Sequence, residues 1–216
     1  MSDDDQILPQ RLRAHVTSLA EEIGERNVFN SEALQRAAAY IEAEWGAQGY
    51  GVERLEYDVS AIPCANLIAT REGSTRRSEI LLLGAHYDSV GGSPGANDNA
   101  SGVAALLEIS RMFQALEPAL TVRFVAFVNE EPPFFGTGQQ GSLVYAHAAR
   151  RRGDDIRLMA SLETIGCYSS EPGSQGYPRL PSAEQRQRPG KRVLSRLLAC
   201  ALPCQRFADA LAGSRA

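Results

Sequence analysis

Four short clusters carry the residue types from which a hydrolytic metal site can be built: His86-Tyr87-Asp88, Asn97-Asp98-Asn99, Glu130-Glu131 and Glu163. Neutral imidazole together with carboxylates is a donor set that suits a divalent ion such as zinc, and a catalytic zinc keeps one position open for water. Asp88 follows His86 by two residues, so in an extended segment both side chains point the same way. Its carboxylate can then take the second ring N–H and fix the tautomer. The adjacent glutamates allow a division of labour in which one carboxylate ligates and the other takes a proton from an activated water. Singly, each cluster has a bland alternative, since an acidic pair at a strand end is usually a solvated loop and a lone histidine is usually a packed one. Their weight comes from converging on one place, which depends on the elements that carry them.

Those elements are legible from periodicity. Leu12, Val16, Leu19 and Ile23 recur at helical spacing and predict an amphipathic helix over about 9–26, with Pro9 in its first turn. A second helix, capped by Asn30 or Ser31, carries Leu34, Ala38, Ile41 and Trp45 and stops at Gly46 and Gly49. Val52–Val59 alternates as a strand, and Ala65–Thr70 reads as its antiparallel neighbour. From Ile80 the pattern changes to continuous apolar runs, the mark of strands covered on both faces. Ile80–Leu83, Val122–Val128 and Ile156–Leu162 are such strands, with helices expected from Ser101 to about Leu116 and over Gln140–Arg152. Strand and helix in alternation give an α/β layer with a largely parallel sheet. In such sheets ligands sit beyond the carboxyl ends of the strands. His86, Glu130-Glu131 and Glu163 fall at three of those ends, and Asp98 sits in the glycine-rich loop before the helix at Ser101.

Composition sets the outer limits. At 216 residues with 44% hydrophobic and 22% charged residues, the chain can bury a sizeable core. A net charge of −4 argues against a nucleic-acid binder. No stretch is long and apolar enough for a membrane span, the acidic start Asp3-Asp4-Asp5 is unlike a signal peptide, and four scattered cysteines do not form a disulfide scaffold. The expectation is a cytoplasmic, reduced protein with no membrane or nucleic-acid partner and with Cys64 and Cys167 as buried thiols. The charge is unevenly spread: residues 179–216 carry eight basic and two acidic residues, against −10 over the rest. Lys191 is the only lysine beside 21 arginines. This break predicts two units, a domain over 1–178 and a tail over 179–216 that is either an aberrant, frameshifted terminus or a genuine basic tail with a short helix around Val193–Leu198.

The motifs Gly84-Ala85-His86-Tyr87-Asp88-Ser89 and Gly95-Ala96-Asn97-Asp98-Asn99-Ala100-Ser101-Gly102 resemble those of metallopeptidase family 28, the co-catalytic zinc aminopeptidases, which also include glutaminyl cyclases. Val122–Phe127 leading to Glu130-Glu131, Gly141-Ser142 and Leu162-Glu163-Thr164-Ile165-Gly166 match the family's later blocks. The resemblance implies a three-layer zinc-exopeptidase-like fold with a mostly parallel mixed sheet, helices on both faces and the last strands missing from this chain. It implies His86 and Glu163 on a first zinc, Asp98 bridging two ions, Glu131 on the second, Glu130 as general base and Asp88 behind His86. The peptide after Asp98 is expected to be cis. The family also uses a late histidine on the second zinc, and no histidine follows His147. His15 and His147 lie in helices at surface or core positions, so the second ion is expected to bind weakly. The implied function is aminopeptidase-type hydrolysis of a peptide or small amide. The alternatives are a single-zinc glutaminyl cyclase-like transferase and a non-catalytic relative. Pro132-Pro133-Phe134-Phe135 reads either as an apolar pocket wall or as a rigid loop packed on the core.

Overall fold

A computed structural model describes residues 3–167 of the chain. Helix α1 spans Asp3–Thr17 and runs into a wide π-type turn, Ser18–Ile23, that ends at Gly24. It starts six residues before the expected position. Pro9 therefore lies inside the helix. The expected single helix to residue 26 breaks at that turn. Helix α2 covers Ser31–Ala47. Its entry is held by neither expected cap: the Asn27 side chain accepts from the Phe29 and Asn30 amides and closes a 3-10 turn over Val28–Asn30.

Strands β1 (Val52–Val59), β2 (Ile62–Arg71), β3 (Arg76–His86), β4 (Leu120–Phe127) and β5 (Asp155–Ser161) form one sheet in the order β1-β2-β4-β3-β5. β1 and β2, and β2 and β4, pair antiparallel, whereas β3 pairs parallel with both β4 and β5. Among the described residues the sheet is thus evenly mixed, and its parallel half is the part built from continuous apolar runs. Helix α3 (Ser101–Phe113) links β3 to β4, and α4 (Gly141–Arg152) links β4 to β5, the right arrangement for parallel crossovers.

The main core lies on one face of the sheet. Leu34, Ile41 and Trp45 of α2 and Val103, Leu106 and Leu107 of α3 pack against Leu67, Leu81, Leu83, Val122 and Phe124. On the other face Tyr145 and Ala149 of α4 cover Ile68, Leu82, Val125 and Phe127. Each strand sends alternate side chains to alternate faces, which is why β3 and β4 must be apolar throughout. These are the three layers expected from the sequence. Among the described residues β5 lies at the sheet's edge and exposes Leu158 and Met159. Among the described residues no helix is long and apolar enough to cross a membrane. Residues 179–216, and with them the expected tail, lie outside the described residues. Of the two thiols expected to be buried, Cys64 is, but Cys167 is exposed in the loop after β5.

Candidate metal centre

The parallel half of the sheet brings its strand ends to one edge, and the acidic clusters meet there. His86 is the last residue of β3 and is buried, because β4 and β5 flank that strand and Tyr87 continues the pairing through its amide to the Phe127 carbonyl. Its Nε2 atom lies 3.0 Å from Asp98 Oδ1, 2.9 Å from Glu163 Oε1 and 3.8 Å from Glu130 Oε2. The two nearer carboxylates stand at the rim, with side chains 51% and 43% exposed, so the centre is open on one side. Burial pushes the His86 ring down, but the flanking carboxylates of Asp88 and Glu163 outweigh it and hold the imidazolium at about 11.

The chemistry of this donor set fits zinc. One imidazole nitrogen and two carboxylate oxygens lie within 4.8 Å of one another, as do donor atoms of His86, Glu130 and Glu131. Donors around a tetrahedral zinc, at ~2.0–2.2 Å, stand roughly 3.3–3.5 Å apart, so the His86–Asp98–Glu163 spacings need only small adjustments. Glu131 Oε1 is buried without a hydrogen-bond partner among the described residues. A buried oxygen left so is costly, and a cation satisfies it. The other two histidines lie elsewhere: His15 is buried between Glu108 and Tyr40, and His147 is exposed on α4.

Asp88 does more than stand behind His86. Its Oδ1 is 3.4 Å from His86 Nδ1, longer than a good hydrogen bond, while its two oxygens accept from the Glu130 and Glu131 amides at 3.2 and 3.1 Å. The carboxylate therefore fixes the main chain of the glutamate pair against the end of β3. Asn66 helps from the far side: it accepts from the Val128 amide and donates to the Gly141 carbonyl, which closes the loop between β4 and α4. Burial raises Glu130 to about 7; the His86 charge opposes the rise and Glu163, Asp88 and Glu131 add to it. Burial raises Glu131 as well, helped by Asp98.

Asp98 and Glu163 come from loops that are stitched together. The Asp98–Asn99 peptide is cis, as expected. Asn99, fully buried, donates to the Leu162 carbonyl at 2.8 Å and accepts from the Gly102 and Thr164 amides. Asn97 accepts from Gly166 N, and the Ser101 hydroxyl accepts from Ile165 N. The first turn of α3 can approach this closely because residue 102 is glycine; a Cβ there would overlap Leu162 O and the Asn99 amide. In the sequence Asn97 and Asn99 flank Asp98 and draw attention to themselves, but nothing local says that they face the loop after β5.

The aromatic loop follows the core-packing reading at Phe134 only. Phe134 packs against the main core and stacks on Phe29 at 6.4 Å between centroids, while Phe135 is 63% exposed. Phe134 N closes a turn onto Glu131 O, and the Phe29 turn is tied through Asn27 to Ser89 O, so the stacked pair is anchored beside the acidic cluster.

Comparison with known proteins follows the same motifs. The sequence profile of peptidase family M28 matches residues 66–199. The uncharacterized protein YfbL of Escherichia coli K12 is 36% identical over 178 residues, which are 79% of this chain and 54% of that protein. A probable zinc metalloprotease of Pyrenophora tritici-repentis is 33% identical over 130 residues, 56% of this chain and 28% of that one. The chain thus spans about half the length, or less, of the curated relatives it matches. In fold it is similar to BSAP, a zinc aminopeptidase from Bacillus subtilis, at TM-score 0.62 and 15% identity, with 73% of this chain and 69% of that chain covered. Since the profile takes in every cluster at the sheet edge and more than half of the sequence, the chain belongs to peptidase family M28.

Proposed function

We propose that the chain is a zinc-dependent amide hydrolase of the aminopeptidase type. One observation carries this: His86 Nε2 meets Asp98 and Glu163 at 3.0 and 2.9 Å, with the Glu130 carboxylate next in line at 3.8 Å. His86, Asp98 and Glu163 would hold one zinc, and a second would rest on Asp98 and the buried oxygen of Glu131, where no second histidine stands among the described residues. Zinc bound there supplies Lewis acidity, which makes water nucleophilic near neutral pH and polarises a scissile carbonyl.

The rest falls to the protein. Glu130, raised to about 7, takes a proton from the attacking water and delivers it to the departing amine. Asp88 holds Glu130 and Glu131 in register through their amides, so the two carboxylates keep separate roles. The open rim at Asp98 and Glu163 admits the substrate, and the Phe29–Phe134 stack offers an apolar wall to its first side chain. The name of the Pyrenophora relative, a probable zinc metalloprotease, supports a peptide substrate. A second reading, a cyclase-type transfer on a single zinc, draws on the His86–Asp98–Glu163 group, which would hold one ion by itself.

The test is hydrolysis of leucine p-nitroanilide with zinc present, set against cyclisation of an N-terminal glutaminyl peptide. Glu130→Gln should retain zinc and lose ~10²–10⁴-fold in kcat. A Glu130→Gln protein as active as wild type would contradict the assignment of the base. Turnover of the glutaminyl peptide alone would favour the second reading.

A further inference from the structure

We propose that Arg26 is a positioning residue for the metal centre: its guanidinium fastens the His86–Asp88 end of β3 to the loop that presents Asp98. The inference rests on the zinc reading above. Arg26 is fully buried, and every acceptor of its side chain is a main-chain carbonyl. Nε donates to Tyr87 O at 2.7 Å, between His86 and Asp88. Nη1 reaches Pro94 O as well as Leu19 O and Gly24 O, and Nη2 donates to Gly95 O at 3.0 Å. The main chain adds a second strap: Ser89 N donates to Arg26 O, Arg26 N donates to Ser89 Oγ, and that hydroxyl donates to Ser93 O. Gly95, at φ +58, turns the loop toward Asp98; a Cβ there would run into Asp98 O and the Ser89 side chain.

A buried cation is costly, and among the described residues no carboxylate comes within 4 Å of this one. Burial lowers it to about 10, so it remains charged at neutral pH, and the opposing influence on it comes through space from Asp88 and Asp98. What the guanidinium contributes is geometric: it binds the two segments that deliver His86 and Asp98. Lysine would keep the charge, but a single ammonium cannot span Tyr87 O on one side and Pro94 O and Gly95 O on the other as the planar fork does.

The experiment compares the full chain carrying Arg26→Lys and Arg26→Met with wild type by three readouts. These are zinc affinity by competition with a chromophoric chelator, the visible spectrum of the cobalt(II)-loaded protein, and urea unfolding. Both variants should bind zinc ~10–100-fold more weakly, with a changed cobalt spectrum, in protein that stays folded by circular dichroism. Lower stability with unchanged zinc affinity and cobalt spectrum would mean a structural role only and would overturn the proposal. Wild type that binds no zinc would instead overturn the zinc reading itself. Should the Arg26 variants fail to fold, Ser89→Ala removes only the hydroxyl of the second strap, with its bonds to Arg26 N and Ser93 O, and leaves the Ser89 N–Arg26 O bond in place; zinc binding weakened ~3–10-fold is expected, and an unchanged affinity there also overturns the proposal.

Discussion

Asp88→Ala isolates the part of the site that holds the glutamate pair. In the native chain Asp88 is 2% exposed and accepts from two amides, Glu130 N at 3.2 Å and Glu131 N at 3.1 Å. Alanine leaves both donors without an acceptor. A buried donor so orphaned costs ~1–3 kcal/mol, and because Glu130 and Glu131 are only half-buried, water can reach part of the gap. The lower end of that range for each gives a loss of about 2 kcal/mol, a large share of the 5–15 kcal/mol typical of a domain. Asn at the same position keeps one acceptor oxygen and turns an NH2 toward the second amide, so it should fare little better than alanine. Outer partners of metal ligands are worth ~10–100-fold in metal affinity, or about 1.4–2.7 kcal/mol. The assays are urea unfolding followed by circular dichroism and zinc competition with a chromophoric chelator. If Asp88→Ala bound zinc within twofold of wild type and unfolded at the same urea concentration, Asp88 would be neither the clamp on the glutamates nor the support of His86.

Two further perturbations probe the frame around the site. Asn99→Ala removes one donor and an acceptor shared by two amides in a fully buried position, so it should cost about 2–4 kcal/mol in urea unfolding and weaken zinc binding by separating Asp98 from Glu163. Asp154 is a pH probe remote from the metal: burial pulls its carboxyl up, but the hydrogen bonds and charges of Arg152 and Arg123 prevail and hold it below its ordinary value. A depressed carboxylate contributes stability above its unfolded pKa of ~3.9 and loses it as pH falls through the folded value. Asp154→Asn should therefore be less stable than wild type by about 1 kcal/mol at pH 7, and the gap should close as pH drops below 4. A gap that persists unchanged at pH 3 would show that the ion pairs are not its source.

The strands and their ends were legible because continuous apolar runs such as Ile80–Leu83 and Val122–Val128 leave few alternatives, and where they stop, polar chemistry begins. That pattern puts His86 and the acidic residues on one sheet edge from sequence alone. The N-terminal helix was harder. Pro9 suggests a start, but the helix begins six residues earlier, and nothing in Ser18–Ile23 announces a π-type turn. The side chains that hold the site together were hardest. Arg26 is a single arginine between two helices, and its acceptors are carbonyls at positions 19, 24, 87, 94 and 95, a set that no local pattern encodes. Asp88 was read from alternation as a partner of His86, yet its shorter contacts go to amides more than forty residues away. Helices and strands follow from neighbours in sequence; the positioning of a site follows from neighbours in space.

The central claim is that His86, Asp98 and Glu163 form one complete zinc site, and the most direct measurement is zinc per chain on monodisperse protein after dialysis, for wild type and His86→Ala. One tightly held ion per chain, lost in His86→Ala while the fold persists by circular dichroism, is the expected result, with a second ion retained only at high free zinc. Wild type without zinc, or His86→Ala with its ion still bound, would contradict it.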